Sequence, residues 1–442
     1  MKQPDQPTAV AALTPAAGAA SRRILFVTMG SLGDLHPCIG LALELQRRGH
    51  HVTIATTEFY RSKVEELSLA FKPLRPDFNP TDGETIAKCQ NIRRGPEVLI
   101  RELVLPHLND NYADLLDAAS NADLMLAGEL LYAAPLVAEK LSLPWASIIL
   151  SPCSFFSAHD PSLMVNVPAL YRLRKAGPFV NRAMLHFGIL ATNHWWGPIR
   201  KLRRAEGLGR ARNPLVTDKF SPHLVLALFS HGLATAQPDW PSSAAQPGFI
   251  FYDSARRASP HAEALLDFLA AGDPPIVFTQ GSTAVHDAGS FYEVSAEAAK
   301  QIGRRAVLIG ANPSQRFQRP DLFAVPYAPY SDVFPKASVI VHQGGSGTTG
   351  QAMRAGRPML FVPYGWDQPD NAARIERTGA ALSVSREHYT VEAATRLLNH
   401  LLSDSSFAQN AARLARQVAR EDGTTTACDA IEEVLAREHR RL

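Results

Sequence analysis

Short apolar runs alternate with amphipathic stretches along most of the chain. The first run, Arg23-Ile24-Leu25-Phe26-Val27-Thr28, is apolar on both faces and so reads as a buried strand, closed by the turn Gly30-Ser31-Leu32-Gly33. Residues 35–48 carry Leu35, Ile39, Leu43 and Leu45 at helical spacing, with Gly49 as a stop. His51-Val52-Thr53-Ile54-Ala55 is the next strand. Strand, helix and strand in that order predict a parallel, doubly wound sheet. Further strands are predicted at 124–127 and 145–150, each after a helical stretch. A Pro-, Ser- and Gly-bearing stretch at 238–252 breaks the pattern, which restarts with strands at 276–279, 306–309, 338–342 and 358–362.

The expected fold class is therefore α/β, with two Rossmann-like domains facing each other across a cleft. The predicted boundaries are a disordered tail at 1–21, an N-terminal domain at 22–237, a linker at 238–252 and a second domain at 253–415. Residues 416–442 read as a C-terminal helix packing back on the first domain. A length of 442 residues suits two domains. The tail is rich in Ala, Pro, Gly and Thr, but Lys2 is offset by Asp5 and prolines follow, which suits a disordered segment better than a signal peptide.

Composition narrows the class further. A formal charge of +3 lends no support to a nucleic-acid partner. Cys38, Cys89, Cys153 and Cys428 are widely spaced with no CxxC pair, which predicts free thiols in a reducing cytoplasm and neither a disulfide framework nor a thiolate metal site. No apolar run approaches the roughly 18 residues that span a bilayer. One segment stands apart. Residues 161–205 hold eight Lys or Arg, no acid, and the pair Trp195-Trp196. Two readings fit it, a solvated basic face over buried tryptophans and a peripheral contact with an anionic membrane.

The densest chemistry lies at 338–371. A strand ends at His342, and Gly344-Gly345-Ser346-Gly347-Thr348-Thr349 follows. Glycines let backbone approach a ligand, and a helix starting near Ser346 or Thr348 offers free N–H groups and a positive dipole end to an anion. His342 can add a donor, while Asp367 and Gln368 offer a carboxylate and an amide to sugar hydroxyls. Gly345-Ser-Gly-Thr-Thr-Gly350 also satisfies the dinucleotide fingerprint. That fingerprint needs an acid at the end of the next strand, where this chain has Phe361-Val362-Pro363. At the other end, Gly30-Ser-Leu-Gly33-Asp34-Leu-His36-Pro37 opens the first helix with two titratable groups, and Asp34 also suits a helix N-cap.

The order H-x-G-G-x-G-T, A-G-x-P, P and D-Q-x-x-N-A resembles the donor signature of the family-one, nucleotide-sugar-dependent glycosyltransferases of the GT-B fold. Among these it is most similar to bacterial members such as rhamnolipid rhamnosyltransferase and the antibiotic glycosyltransferases. The resemblance runs over most of 22–435 and is specific at 28–40, 278–283 and 325–375. It implies that His342 and the N–H groups of Ser346, Gly347, Thr348 and Thr349 hold a diphosphate, with Gly33, Gly344 and Gly345 beside them. Asp367 and Gln368 would hold the sugar. Gln280, Gly281, Ser282 and Thr283 would approach the phosphates from the other side, and Tyr327 with backbone at Ala328 would take the base. Tyr327 stands where plant members have Trp, and Gly350 stands where they have a ribose-binding Glu, with Gln351 the nearest polar substitute.

The family pattern G-x-x-G-[His or Asp]-x-x-Pro puts the catalytic base at Asp34, with His36 two places on. The implied reaction is inverting and needs no cofactor. No D-x-D pair occurs in the chain, so the Mn²⁺-bridged diphosphate of the other glycosyltransferase fold has no ligands and no metal is expected. Partners would be a nucleotide-sugar, UDP-glucose first and a dTDP-deoxysugar second, and a small hydrophobic acceptor. His36, Phe155, Phe156, His159, Trp195 and Trp196 are candidates for the acceptor site. Three alternatives are a nucleotide-sugar epimerase, a non-catalytic sugar-nucleotide sensor and a membrane-bound lipid glycosyltransferase.

Overall fold

The computed structural model describes residues 21–440 except 80, 92–93, 164–170, 211, 254–260, 312–316 and 318, together with the backbone alone at 283 and 439. The tail expected at 1–21 lies outside the described residues apart from Ser21. Two parallel sheets organise the chain. The first has seven strands in the order β3-β2-β1-β4-β5-β6-β7 and the second six in the order β10-β9-β8-β11-β12-β13.

In the first sheet the central strands are β1 (Arg23–Val27), β2 (His51–Thr56), β4 (Leu124–Gly128) and β5 (Trp145–Ile149). Val27 pairs with Ala55 on one side and Ala127 on the other. In the second sheet β8 (Ile276–Thr279), β9 (Ala306–Ile309), β11 (Val339–His342) and β12 (Met359–Phe361) play the same parts. His342 pairs with Thr279 and Phe361. Most of these residues are fully buried, as strands covered on both faces must be. The α/β class with two Rossmann-like sheets is as expected.

Five elements went unread in the sequence: β3 (Ala70–Pro73), β6 (Leu224–Ala227), β7 (Ala244–Ala245), β10 (Leu322–Val325) and β13 (Ala381–Ser383). Of these, β7 falls inside the stretch read as a linker and pairs with β6, so 238–252 supplies an edge strand as well as a connection.

Five helices matter here: α1 (Leu32–Arg47), α2 (Pro178–Thr192), α3 (Ser346–Ala355), α4 (Gln368–Glu376) and α5 (Gly423–His439). Helix α5 buries Ala427, Cys428, Ile431 and Val434 against α1 and the first sheet. Arg48, just past α1, closes the contact on Asp429 at 2.6 Å and Glu432 at 2.7 Å.

Strand order reverses beside β1 in the first sheet and beside β8 in the second. In each sheet that leaves a crevice at the carboxyl ends, between β1 and β4 or between β8 and β11. One cavity of about 390 Å³ is lined from both, by Thr28, Gly128 and Glu129 on one side and Ser282, Gln343 and Gly345 on the other.

Candidate active site

The first wall is the turn after β1. Gly30 has φ +134, and a Cβ there would lie 2.4 Å from the Asp34 carboxylate, so only glycine leaves that carboxylate its place. Ser31 is the helix N-cap. Its backbone N–H and its hydroxyl donate to Asp34 Oδ2 at 2.8 and 3.1 Å, and the Gly33 N–H donates to Ser31 Oγ at 3.1 Å. Asp34, the third residue of the helix, thus closes a capping box and is not the N-cap considered for it. Burial raises its pKa to about 6, against the lowering effect of Ser31 and with help from the Glu129 charge.

The second wall is the pair of turns after β8 and β11. Gly281, at φ +67, starts a short turn Gly281–Ala284, and a Cβ on it would meet Gln343 Nε2 at 2.2 Å. Ser282 faces the cleft, while the side chain of Thr283 is outside the described part. After β11, Gly344 turns at φ +98 with the Gln368 carbonyl 3.0 Å from where a Cβ would sit. Gly345, Ser346, Gly347 and Thr348 then line the cleft as α3 begins. Ser346, Gly347 and Thr348 sit in the first turn, whose N–H groups have no intrahelical carbonyl to reach and suit an anion.

Asp367, the N-cap of α4, and Gln368, its first residue, complete this wall. Asp367 accepts from Asn371 Nδ2 at 2.8 Å, and the same amide donates to the Gly344 carbonyl at 3.0 Å, tying the two turns together. The Gln368 side-chain oxygen takes the Tyr364 N–H at 2.8 Å and the Gly365 N–H at 3.3 Å. Burial pushes Asp367 up to about 7, with added charge from Asp34 and Asp370. The two acids approach the cleft from opposite walls.

Several expected residues lie elsewhere. His342 is fully buried behind the glycine turn, against Phe361, and does not line the cavity. Its Nδ1 accepts the Gly344 N–H at 3.1 Å, which puts the proton on Nε2, and burial lowers its pKa to about 3, leaving it neutral. The Thr349 N–H donates to Gly345 at 2.9 Å, so the helix itself uses that donor. Tyr327 is half exposed and Ala328 buried, both outside the cavity wall. At Gly350 a Cβ would meet the Phe249 ring at 2.9 Å, so packing leaves no room for the glutamate that plant members carry.

The acceptor candidates divide. A second, mostly apolar chamber of about 380 Å³ adjoins the cleft, and Trp195 and Phe156 line it. Phe155 does not. It stacks on Trp240 at 3.9 Å in the core, because the turn Pro152–Phe155 ends with Phe156 at φ +49 and sends neighbouring rings apart. His159 is exposed, with its N–H donating to Ser157 Oγ, and lines neither cavity. His36 packs edge-on against Tyr252 at 5.1 Å, outside both. Trp196 is wholly buried.

Glu129 is the residue sequence reasoning missed. It stands at the tip of β4, lines both the cleft and the chamber, and pairs with the buried Lys219 at 3.3 Å. The signal was available, since an acid directly after a buried central strand falls at the crevice of a doubly wound sheet.

An anion site at a helix end, two acids facing each other across a cleft and an adjoining apolar chamber suit an enzyme that takes two substrates, one of them anionic. Comparison gives the class its family. Residues 24–152 match the Glycosyltransferase family 28 N-terminal domain, and residues 311–434 match the C-terminal domain of erythromycin biosynthesis protein CIII-like proteins. The chain is 32% identical over 426 residues to O-mycaminosyltylonolide 6-deoxyallosyltransferase of Streptomyces fradiae, covering 93% of this chain and 97% of that one. The chain belongs to the nucleotide-sugar-dependent glycosyltransferases of the GT-B fold. A sterol 3-beta-glucosyltransferase of Arabidopsis thaliana is 27% identical over 92% of this chain and 65% of its own. In fold the chain is similar to the spinosyn forosaminyltransferase SpnP (TM-score 0.70, 17% identity, 94% of this chain and 100% of that one). It is also similar to the glycosyltransferase VinC in complex with dTDP (TM-score 0.63, 20% identity, 94% and 100%).

Proposed function

We propose that this glycosyltransferase moves a hexose from a nucleoside diphosphate to a hydroxyl of a small hydrophobic acceptor, a natural product or a sterol, with inversion. The carrying observation is the junction of the two cavities, where Glu129, Cys153, Ser154 and Trp366 belong to both walls. An acceptor seated in the apolar chamber presents its hydroxyl there, beside the crevice whose helix end and carboxylates suit the donor.

Asp34 takes the acceptor proton as the hydroxyl oxygen attacks the anomeric carbon. The bond from that carbon to the phosphate oxygen breaks, and its electron pair leaves with the nucleoside diphosphate. The free N–H groups of Ser346, Gly347 and Thr348 stabilise the charge that develops there. Asp367 and Gln368 orient the sugar. His342 acts one layer back, holding the Gly344 turn from which α3 starts. The tyrosine ring at 327 takes the base when the donor is bound.

A dTDP-deoxysugar moves ahead of UDP-glucose as the donor. A relative matched over nearly its whole length is named for 6-deoxyallosyl transfer, and a fold neighbour holds dTDP. Screening UDP-glucose and dTDP-deoxysugars against macrolide, phenolic and sterol acceptors by mass spectrometry tests the reading. Product should form in excess EDTA. Donor turnover without any acceptor adduct would point to an epimerase, and activity lost to EDTA and restored by Mn²⁺ would overturn the leaving-group assignment.

A further inference from the structure

Helix α2 has two apolar faces. Among the described residues nine large apolar side chains are exposed, and five of them, Leu173, Phe179, Val180, Phe187 and Leu190, lie on or just before this helix. Phe179 and Phe187 are the barest, at 86% and 75% exposed. Phe179, Ala183, Phe187 and Leu190 follow one another at steps of four, four and three residues, which places them on one stripe. Asn181, Met184, Leu185 and Thr192 fall on the opposite stripe and line the apolar chamber. A surface helix of a soluble protein ordinarily buries one apolar stripe and turns a polar one to water. Here the inner stripe serves the chamber, and the outer one needs an apolar phase of its own.

Charge identifies that phase. The segment 161–205 carries eight cations and no acid, against +3 for the whole chain, so the remainder of the chain is net acidic. Arg203 is occupied by Glu139, but Arg172, Lys175, Arg182, Lys201 and Arg204 are exposed. A second copy meeting this face symmetrically would bring the same cations to the contact and be repelled. An anionic bilayer meets both demands, with phenylalanines at the boundary of headgroups and acyl chains and Lys and Arg on the phosphates. Among the described residues no helix is long and apolar enough to cross a membrane, so the contact lies in the plane of the surface.

We infer that α2 and the turns beside it seat the enzyme on an anionic membrane, and that the acceptor enters the chamber from the lipid across this helix. The entry route rests on the apolar-acceptor reading above. The docking surface does not.

The full chain is sedimented with vesicles of phosphatidylcholine alone and of phosphatidylcholine containing about one third phosphatidylglycerol. Binding to the anionic vesicles should be at least ~10-fold tighter and should weaken with added salt. The triple variant Phe179→Ser, Phe187→Ser, Leu190→Ser changes only exposed positions and should lose that binding, as should Arg172→Gln, Lys175→Gln, Arg182→Gln. The phenylalanine variant should keep turnover on water-soluble 4-methylumbelliferone and lose about 10-fold on a sterol embedded in anionic vesicles. Equal binding to both vesicle types, or a triple variant that binds as the parent does, overturns the proposal. So does a dimer that the triple variant dissolves while the parent ignores vesicles. Vesicle binding with no transfer to either acceptor would uphold the docking surface and overturn the acceptor reading instead.

Discussion

Asp34 is made more basic by burial and by Glu129, and Asp367 by burial and by Asp34, so the two acids of the cleft titrate far above the ordinary carboxylate range. The base works in its ionised form. Activity on an alcohol acceptor should therefore rise as pH climbs through about 6 and then level off. Asp34→Asn should lower kcat by ~10²–10⁴-fold and erase that limb, with donor affinity held. A kcat–pH series on parent and variant decides it, and a variant near normal on an alcohol would remove Asp34 from the role.

The same shift has a sign for stability. A carboxyl whose folded pKa is raised stabilises the fold most below its unfolded value, and that contribution is lost as pH rises through the folded value. At pH 8 the ionised Asp34 is thus a burden on the fold. Asn keeps an oxygen for Ser31, so Asp34→Asn should be more stable than the parent at pH 8 by on the order of 1–2 kcal/mol, with no gain at pH 4. Urea titrations at the two pH values test this, and a destabilised variant at pH 8 would contradict it.

At the scale of elements, the start of α3 depends on Gly344. Alanine there must take φ +98 and meet both the Gln368 carbonyl and Phe361 at 3.0 Å. Gly344→Ala should cost roughly 1–3 kcal/mol of stability and, by turning the helix end, weaken dTDP or UDP binding by about 10-fold. His342→Ala removes the acceptor of the Gly344 N–H and should weaken binding through the same turn. Calorimetry with the free nucleotides reads both, and unchanged affinity in the pair would detach α3 from the donor.

Elements were legible in the sequence where burial is complete on both faces. The runs at 276–279 and 306–309 coincide with β8 and β9 because every residue there is buried. Edge strands carry no such pattern. Ala70–Pro73 is mostly exposed, and Ala244–Ala245 is two residues long. The run Leu224–Ala227 is fully buried, but four apolar residues fit a strand or a helix segment equally well. In the site, glycine turns and the helix start were readable because they are local. The choice between Phe155 and Phe156 was not, since it hangs on one left-handed residue at the end of a short turn. Glu129 was missed because its meaning comes from strand order.

Over the whole molecule, the two halves meet through buried charge as well as apolar packing. Arg374 on α4 bonds Asp370 at 2.7 Å and also pairs with Asp160 from the first half, while the Leu163 N–H donates to Asp370 at 2.8 Å. Arg374 and Asp370 are almost wholly buried. Arg374→Ala would strand Asp370 without its cation and should cost about 3–5 kcal/mol. Because the network also ties the 160–163 loop to the second half, KM for the acceptor should rise more than KM for the donor. Equilibrium unfolding and two-substrate kinetics check the two parts separately.

Helix α5 finishes the core of the first half, although almost the whole second half separates it in sequence from the strands it covers. During synthesis the N-terminal sheet must therefore wait, with one side of α1 uncovered, until residues 423–439 have been made. The same feature sets a rule for building hybrids. A chimera that takes its donor half from another glycosyltransferase should use two crossovers, one near 253 and one near 421, so that α5 and α1 come from the same parent. Hybrids with the single crossover near 253 should be recovered in much lower soluble yield, and equal yields from both designs would show that the helix is interchangeable.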